Sequence, residues 1–163
     1  MKSKVLIPVD TARNSLTAEE YAIKLSWRMP MRVTLLTVLN NKRLQNRGIS
    51  LSDQERILEG MRKRADEVLA AAAKPFLKAD VEHELRVEAG NPGPVICRLA
   101  QEEGYEMVII TQSGLSEWEE ILGGSVVHTV LNKCQTPVLL VKHSPEQLEQ
   151  QRRLRAEQEL LPR

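Results

Sequence analysis

The sequence predicts an α/β fold, an open five-stranded parallel sheet with helices on both faces and a helical tail at the carboxyl end. Two observations predict it. Short runs of aliphatic and β-branched residues alternate along the chain with segments whose apolar residues recur at helical spacing. Such alternation produces right-handed β-α-β crossovers that pack a helix against one face or the other. In the second, from Met107 to Val141, an apolar run, a glycine-bearing loop, an amphipathic segment and another apolar run follow in order.

Lys4 to Val9 is a Val- and Ile-containing run closed by Asp10 and the polar turn Thr11-Ala12-Arg13-Asn14, and it reads as a buried first strand. Thr17 with Glu20 three residues later has the form of a capping box, in which two side chains satisfy free backbone N–H groups at a helix start. Ala18, Tyr21, Ala22 and Leu25 then share a face until Pro30. Val33 to Leu39 is nearly continuous in aliphatic and β-branched residues, as a parallel strand covered on both sides must be. Asn40 to Leu51 is polar and aperiodic, a loop. Ser52 with Glu55 repeats the capping signature, and Leu58, Met61, Ala65, Val68, Leu69 and Ala72 form one stripe on a long helix that the Pro75 region ends or kinks.

Val81 to Glu88 alternates: Val81, His83, Leu85 and Val87 on one face, Glu82, Glu84, Arg86 and Glu88 on the other. One charged face places this strand at a sheet edge. Gly90-Asn91-Pro92-Gly93-Pro94 turns into a helix with Ile96, Leu99 and Ala100 inward and Gly104 as its stop. Met107 to Ile110 and Pro137 to Lys142 are the fourth and fifth strands. Residues 1–143 make one domain. From Ser144, with Pro145 at a first helical position, Glu, Gln and Arg fill a charged tail, 144–163, read as a solvated helix or as one that packs on a second copy.

At 163 residues the chain supports one domain with a real core. A net charge of +1 supplies no basic field for a polyanion, so no nucleic acid is expected. Pro8 and Asp10 interrupt the apolar start before a signal-peptide core is complete, and no segment reaches the roughly 18–20 apolar residues that span a bilayer. No membrane partner and a cytoplasmic location follow. Cys97 and Cys134 sit in helical segments without a CxxC partner and read as buried free thiols.

A glycine loop opening a helix aims backbone N–H groups at an anion, which makes phosphate the first ligand to consider. Here Gly114, nine intervening residues and then Gly124-Ser125 set the spacing. This resembles the nucleotide-binding loop of the universal stress protein family, whose ATP-binding branch carries Gly-x2-Gly-x9-Gly-Ser/Thr. The chain departs once: the first glycine of that pattern falls on Thr111, which brings a methyl and a hydroxyl in place of bare backbone. The resemblance runs from about Lys2 to Lys142 and implies a Rossmann-like, adenine nucleotide alpha hydrolase-like fold that binds ATP or AMP, with or without Mg²⁺. It assigns Pro8, Val9 and Asp10 to the base pocket, backbone contacts to the base to Val38, and the remaining nucleotide contacts to Thr111, Gly114, Gly124, Ser125 and Val126. It also implies a homodimer through the last strand, Pro137 to Lys142.

Each residue has a plainer reading beside this one. Asp10 also suits a helix cap, and Gly114, Gly124 and Ser125 suit a flexible loop ending in a cap. Glu117, Glu119 and Glu120 are expected to point outward, with Trp118 a lid or an oligomer contact. His83, His128 and His143 are scattered, so no metal site is expected. The G-x-G-x-x-G of dinucleotide folds, the Gly-Lys pair of a P-loop, the Ser-Gly-Gly turn of a PP-loop and the acidic pair of a receiver domain are all missing. With no lysine, arginine finger or general base at the loop and no catalytic residue in view, ATP hydrolysis would be weak at most. Three functions remain: an adenine-nucleotide-binding stress-response regulator, a dimeric interaction scaffold of the same fold without nucleotide, and a slow ATPase.

Overall fold

The computed structural model describes residues 1–10, 17–41, 48–111, 126–146, 149 and 153. Five parallel strands, β1 (Ser3–Pro8), β2 (Met31–Leu39), β3 (His83–Ala89), β4 (Met107–Thr111) and β5 (Val138–Val141), form one sheet in the order β3-β2-β1-β4-β5. Helices α1 (Thr17–Ser26) and α2 (Leu51–Lys78) follow β1 and β2; α3 (Pro92–Glu102) and α4 (Val126–Lys133) precede β4 and β5. The predicted fold class is the observed one.

The period of two along β1 sorts the core. Val5, Ile7 and Val9 turn to the face carrying α1 and α2, where Ala18, Ala22, Leu69, Ala72, Ala73 and Phe76 close over them. Leu6 turns to the opposite face, beneath Val95, Ile96, Leu99 and Ala100 of α3 and Val126 and Val130 of α4. β2 contributes to both layers, Val33 and Leu35 to one and Leu36 and Val38 to the other, which is why aliphatic and β-branched residues nearly fill it from Val33 to Leu39. Each such side chain taken out of water contributes about 1.5–3 kcal/mol before entropy is counted. β3 lies at one edge, as its charged alternation predicts, and β5 at the other.

Two sequence expectations shift. The long helix is capped by Ser50 rather than Ser52: Ser50 Oγ accepts from Asp53 N at 3.2 Å and donates to Asp53 Oδ2 at 2.7 Å. Pro75 lies in the last turn of α2, which ends at Lys78. The turn before α3 is shorter than expected, because Pro92 already occupies the first helical position and Gly93 lies inside the helix. The predicted Gly104 stop holds: at φ +66° it lets Tyr105 N reach Ala100 O at 2.9 Å and its own N–H reach Gln101 O at 3.3 Å, the paired bonds of a Schellman end. α2 ends the same way with Asp80 at φ +53°, Val81 N meeting Phe76 O at 3.0 Å. In the tail Pro145, Glu146, Glu149 and Arg153 are helical, and Arg153 Nη2 pairs with Glu149 Oε1 at 2.7 Å.

Candidate functional site

From β1 the chain builds outward through β2 to β3, then returns to the other side of β1 for β4 and β5. The reversal falls between β1 and β4, and a crevice opens beyond the carboxyl ends of two such strands because their connections depart to opposite faces. Asp10, half-buried, stands just past the end of β1, and Thr111, also half-buried, is the last residue of β4. Val126 is the first residue of α4 and is buried. The fold thus brings Pro8, Val9, Asp10, Val38, Thr111 and Val126 to one rim. Gly114, Gly124 and Ser125, with Glu117, Trp118, Glu119 and Glu120, lie outside the described residues.

The backbone at this rim is fixed from β2. Val9 N donates to Leu36 O at 2.7 Å, and Thr37 Oγ1 donates to Val9 O at 2.9 Å. Both backbone groups of the residue before Asp10 are therefore satisfied, and the exit of the chain from β1 is set. The ladder between β1 and β2 ends at Pro8 with Leu36. Successive residues of a pleated strand turn their N–H and C=O to opposite neighbours. Val38 accordingly shares the orientation of Leu36, its backbone groups directed to the β1 side beyond the end of that ladder. The residue as a whole is only 2% exposed, its side chain in the core under α3 and α4, so what it turns toward the rim is backbone.

Sequence reasoning missed three residues here. Thr37 reads as an ordinary β-branched strand former, yet its hydroxyl anchors Val9. Glu19 is 1% exposed in the first turn of α1, where the helix dipole favours a carboxylate. His143, just past β5, brings Nδ1 to 3.0 Å from Thr17 Oγ1, strapping the end of β5 to the start of α1 along the same rim. Burial holds the His143 pKa below the ordinary histidine value. His83 instead bonds the Val81 carbonyl and leans on the Phe76 ring. Among the described residues no group of three His, Cys, Asp or Glu side chains converges on a metal position, and no helix is long and apolar enough to cross a membrane.

The charged network lies elsewhere. Glu82 bridges Lys2 and Arg32 at the amino ends of the strands, beside a depression lined by Met1, Lys2, Lys4, Arg32 and Glu82. Those hydrogen bonds hold the Glu82 carboxyl below the usual carboxylate range. Arg86 joins Glu88 and Glu103, and its guanidinium, bonded first to Glu103, has its pKa raised further. Tyr105 threads the layer beneath: its hydroxyl donates to Thr34 Oγ1 at 2.9 Å, Thr34 donates to Glu84 at 2.6 Å, and Lys4 Nζ sits 4.2 Å above its ring. The Glu82 and Tyr105 contacts join strands toward their amino ends, away from the crevice, whereas Glu88 lies level with Val38 near the carboxyl end of β3.

A parallel sheet wound on both faces, with its rim built at the reversal of strand order, defines a doubly wound α/β protein of the kind that takes ligands at the switch point. The Universal stress protein family model matches residues 1–142. The chain belongs to the universal stress protein family. It is 25% identical over 156 residues to Universal stress protein MJ0577 of Methanocaldococcus jannaschii, covering 87% of this chain and 96% of that protein. The solved structure of MJ0577 superposes with a TM-score of 0.70 at 23% identity, covering 88% of this chain and 98% of that one. Two further relatives share the fold. The Archaeoglobus fulgidus universal stress protein, solved in complex with dAMP, gives a TM-score of 0.61 at 19% identity over 86% of this chain and 98% of its own. A family member of Arabidopsis thaliana, solved with AMP bound, gives 0.62 at 17% over 88% and 94%.

Proposed function

We propose that this chain is a cytoplasmic stress-response regulator that holds an adenine nucleotide, ATP or AMP, with or without Mg²⁺, in the crevice between β1 and β4. One observation carries the reading: the strand order sets Asp10 and Thr111 on adjacent strand ends at the reversal, with the first turn of α4 following the Gly114 to Ser125 segment. The dAMP and AMP held by two relatives of the same fold support the ligand class. In this reading Pro8, Val9 and Asp10 border the base and Val38 offers it backbone groups. Gly114, Gly124, Ser125 and Val126 present amides to the phosphates at the positive end of α4, and Thr111 narrows the approach. The protein acts through occupancy of the site rather than turnover. It assembles as a homodimer through Pro137 to Lys142, whose strand β5 is a half-buried, aliphatic sheet edge that a second copy would cover.

Acid denaturation of the purified protein followed by ion-exchange chromatography tests the ligand: ATP, ADP or AMP should be released in near-stoichiometric amount. An empty trace, with no ATP-dependent rise in melting temperature on adding nucleotide and Mg²⁺, would leave the fold serving as a dimeric scaffold. Gly124→Val should abolish that rise, because a β-branched side chain would stand where a phosphate must approach the backbone. Sedimentation equilibrium should give twice the chain mass.

A further inference from the structure

Outside the crevice, the two cysteines meet. Cys97 lies in α3 and Cys134 directly follows α4, with Cys134 N bonded to Val130 O at 3.1 Å. Both thiols are free and half-buried, and their sulfurs stand 2.7 Å apart. Even two carbon atoms rest at roughly 3.5–4.0 Å when merely in contact, so less than an ångström of closure separates this pair from the roughly 2.05 Å of a disulfide. The two helices beside them pack at close approach: a methyl at Gly93 would stand 2.6 Å from Thr129 Cγ2. The fold therefore presents a preformed vicinal dithiol, with each sulfur only partly covered.

We infer that Cys97 and Cys134 are a redox modification site that closes to a reversible intramolecular disulfide, with a peroxide as the oxidant. The Cys134 thiol donates its hydrogen to Cys97 Sγ. Burial, and then that bond, push the Cys134 thiol up; with Cys134 the donor of that bond and Cys97 its acceptor, Cys97 is the sulfur assigned to meet the oxidant. Cys97 gives its proton to solvent and attacks a peroxide oxygen. The O–O bond breaks, and hydroxide leaves and becomes water, which puts a sulfenic acid on Cys97. Cys134 then attacks that sulfur; the S–S bond forms, the S–O bond breaks, and the departing hydroxide takes the Cys134 proton as a second water. Two thiols and one hydrogen peroxide thus yield one disulfide and two waters, with two electrons passing from sulfur to oxygen.

The bond would tie α3 to the carboxyl end of α4. The eight residues of α4 set that point roughly 12 Å along the axis from the helix start. The test therefore reads the thiols whether or not a nucleotide binds. Full-length reduced protein is treated with a few equivalents of hydrogen peroxide, alkylated with iodoacetamide and analysed by intact mass and peptide mapping. The expected result is loss of both alkylation sites, a mass lower by two hydrogens, a Cys97-to-Cys134 cross-linked peptide, and full return of both sites with dithiothreitol. Two alkylated cysteines, sulfinic or sulfonic acid on either, or cross-links only between chains would overturn the proposal. Cys134→Ser should raise dimedone-trapped sulfenic acid at Cys97 at least tenfold over the parent, since the resolving sulfur is gone; an equal yield would refute the resolving role.

Discussion

Replacing Thr37 by valine isolates the contact that sets the exit from β1. The two side chains have nearly the same shape, so the change removes a hydroxyl without opening a cavity. Thr37 is 0% exposed and its Oγ1 donates to Val9 O at 2.9 Å, so the Val9 carbonyl loses that donor in a place water does not reach. An orphaned buried acceptor costs about 1–3 kcal/mol. The methyl that replaces the hydroxyl returns up to about 0.8 kcal/mol of apolar burial. With the full offset the net loss is about 0.2–2 kcal/mol, about 1.2 kcal/mol at the midpoint, which is a fall of roughly 2–5 °C in melting temperature for a chain of this size. Thr37→Ser keeps the donor and loses one methyl, about 1 kcal/mol. Urea denaturation and thermal melts, with and without ATP, measure both. Thr37→Val should shrink the ATP-induced rise in melting temperature, whereas Thr37→Ser should preserve it. A Thr37→Val protein that melts within about 1 °C of the parent would refute the claim that Val9 depends on this hydroxyl.

Other perturbations follow from the same geometry. Gly93→Ala drives a methyl to 2.6 Å from Thr129 Cγ2 and 2.8 Å from its Cβ, so urea melts should show a loss of about 1–3 kcal/mol despite the better helix propensity of alanine; no loss would mean that α3 and α4 separate freely. Asp80 sits at φ +53°, so Asp80→Gly should match or exceed the parent in stability while Asp80→Val loses roughly 1–2 kcal/mol; equal losses would remove the backbone argument. The lowered His143 pKa means that the unfolded chain binds the proton first as pH falls. The contribution of His143 is therefore full above about pH 6.5 and is lost below it until the folded imidazole also protonates. Urea midpoints from pH 8 to 5 should fall more steeply for the parent than for His143→Gln, and parallel curves would exclude His143 as the source.

The fold was legible because its signals are local. The nearly continuous aliphatic and β-branched run Val33 to Leu39 announced a strand covered on both faces, and the charged alternation around Glu84 and Arg86 announced an edge. Position within an element was less legible where patterns repeat: Ser50 with Asp53 and Ser52 with Glu55 both offer a hydroxyl three residues before an acid, and only the three-dimensional start of α2 selects Ser50. Contacts between distant segments gave no sequence signal. Cys97 and Cys134 lie 37 residues apart and meet because α3 and α4 pack; Thr17 and His143 meet because β5 ends beside α1. Of the candidate site, the residues at the ends of β1, β2 and β4 could be placed from strand order alone. Gly114, Gly124 and Ser125 rest on spacing.

The opening residues of this chain form the middle of its sheet. Val5 faces Val33 on one side and Met107 on the other, so β1 is the seam joining two half-sheets that otherwise share no ladder. A proteolytic cut at Val9 would sever the molecule's midline rather than trim an end, and a tag fused ahead of Met1 hangs from its centre. During synthesis β1, β2 and β3 emerge first and must wait, one flank of β1 bare, until β4 leaves the ribosome.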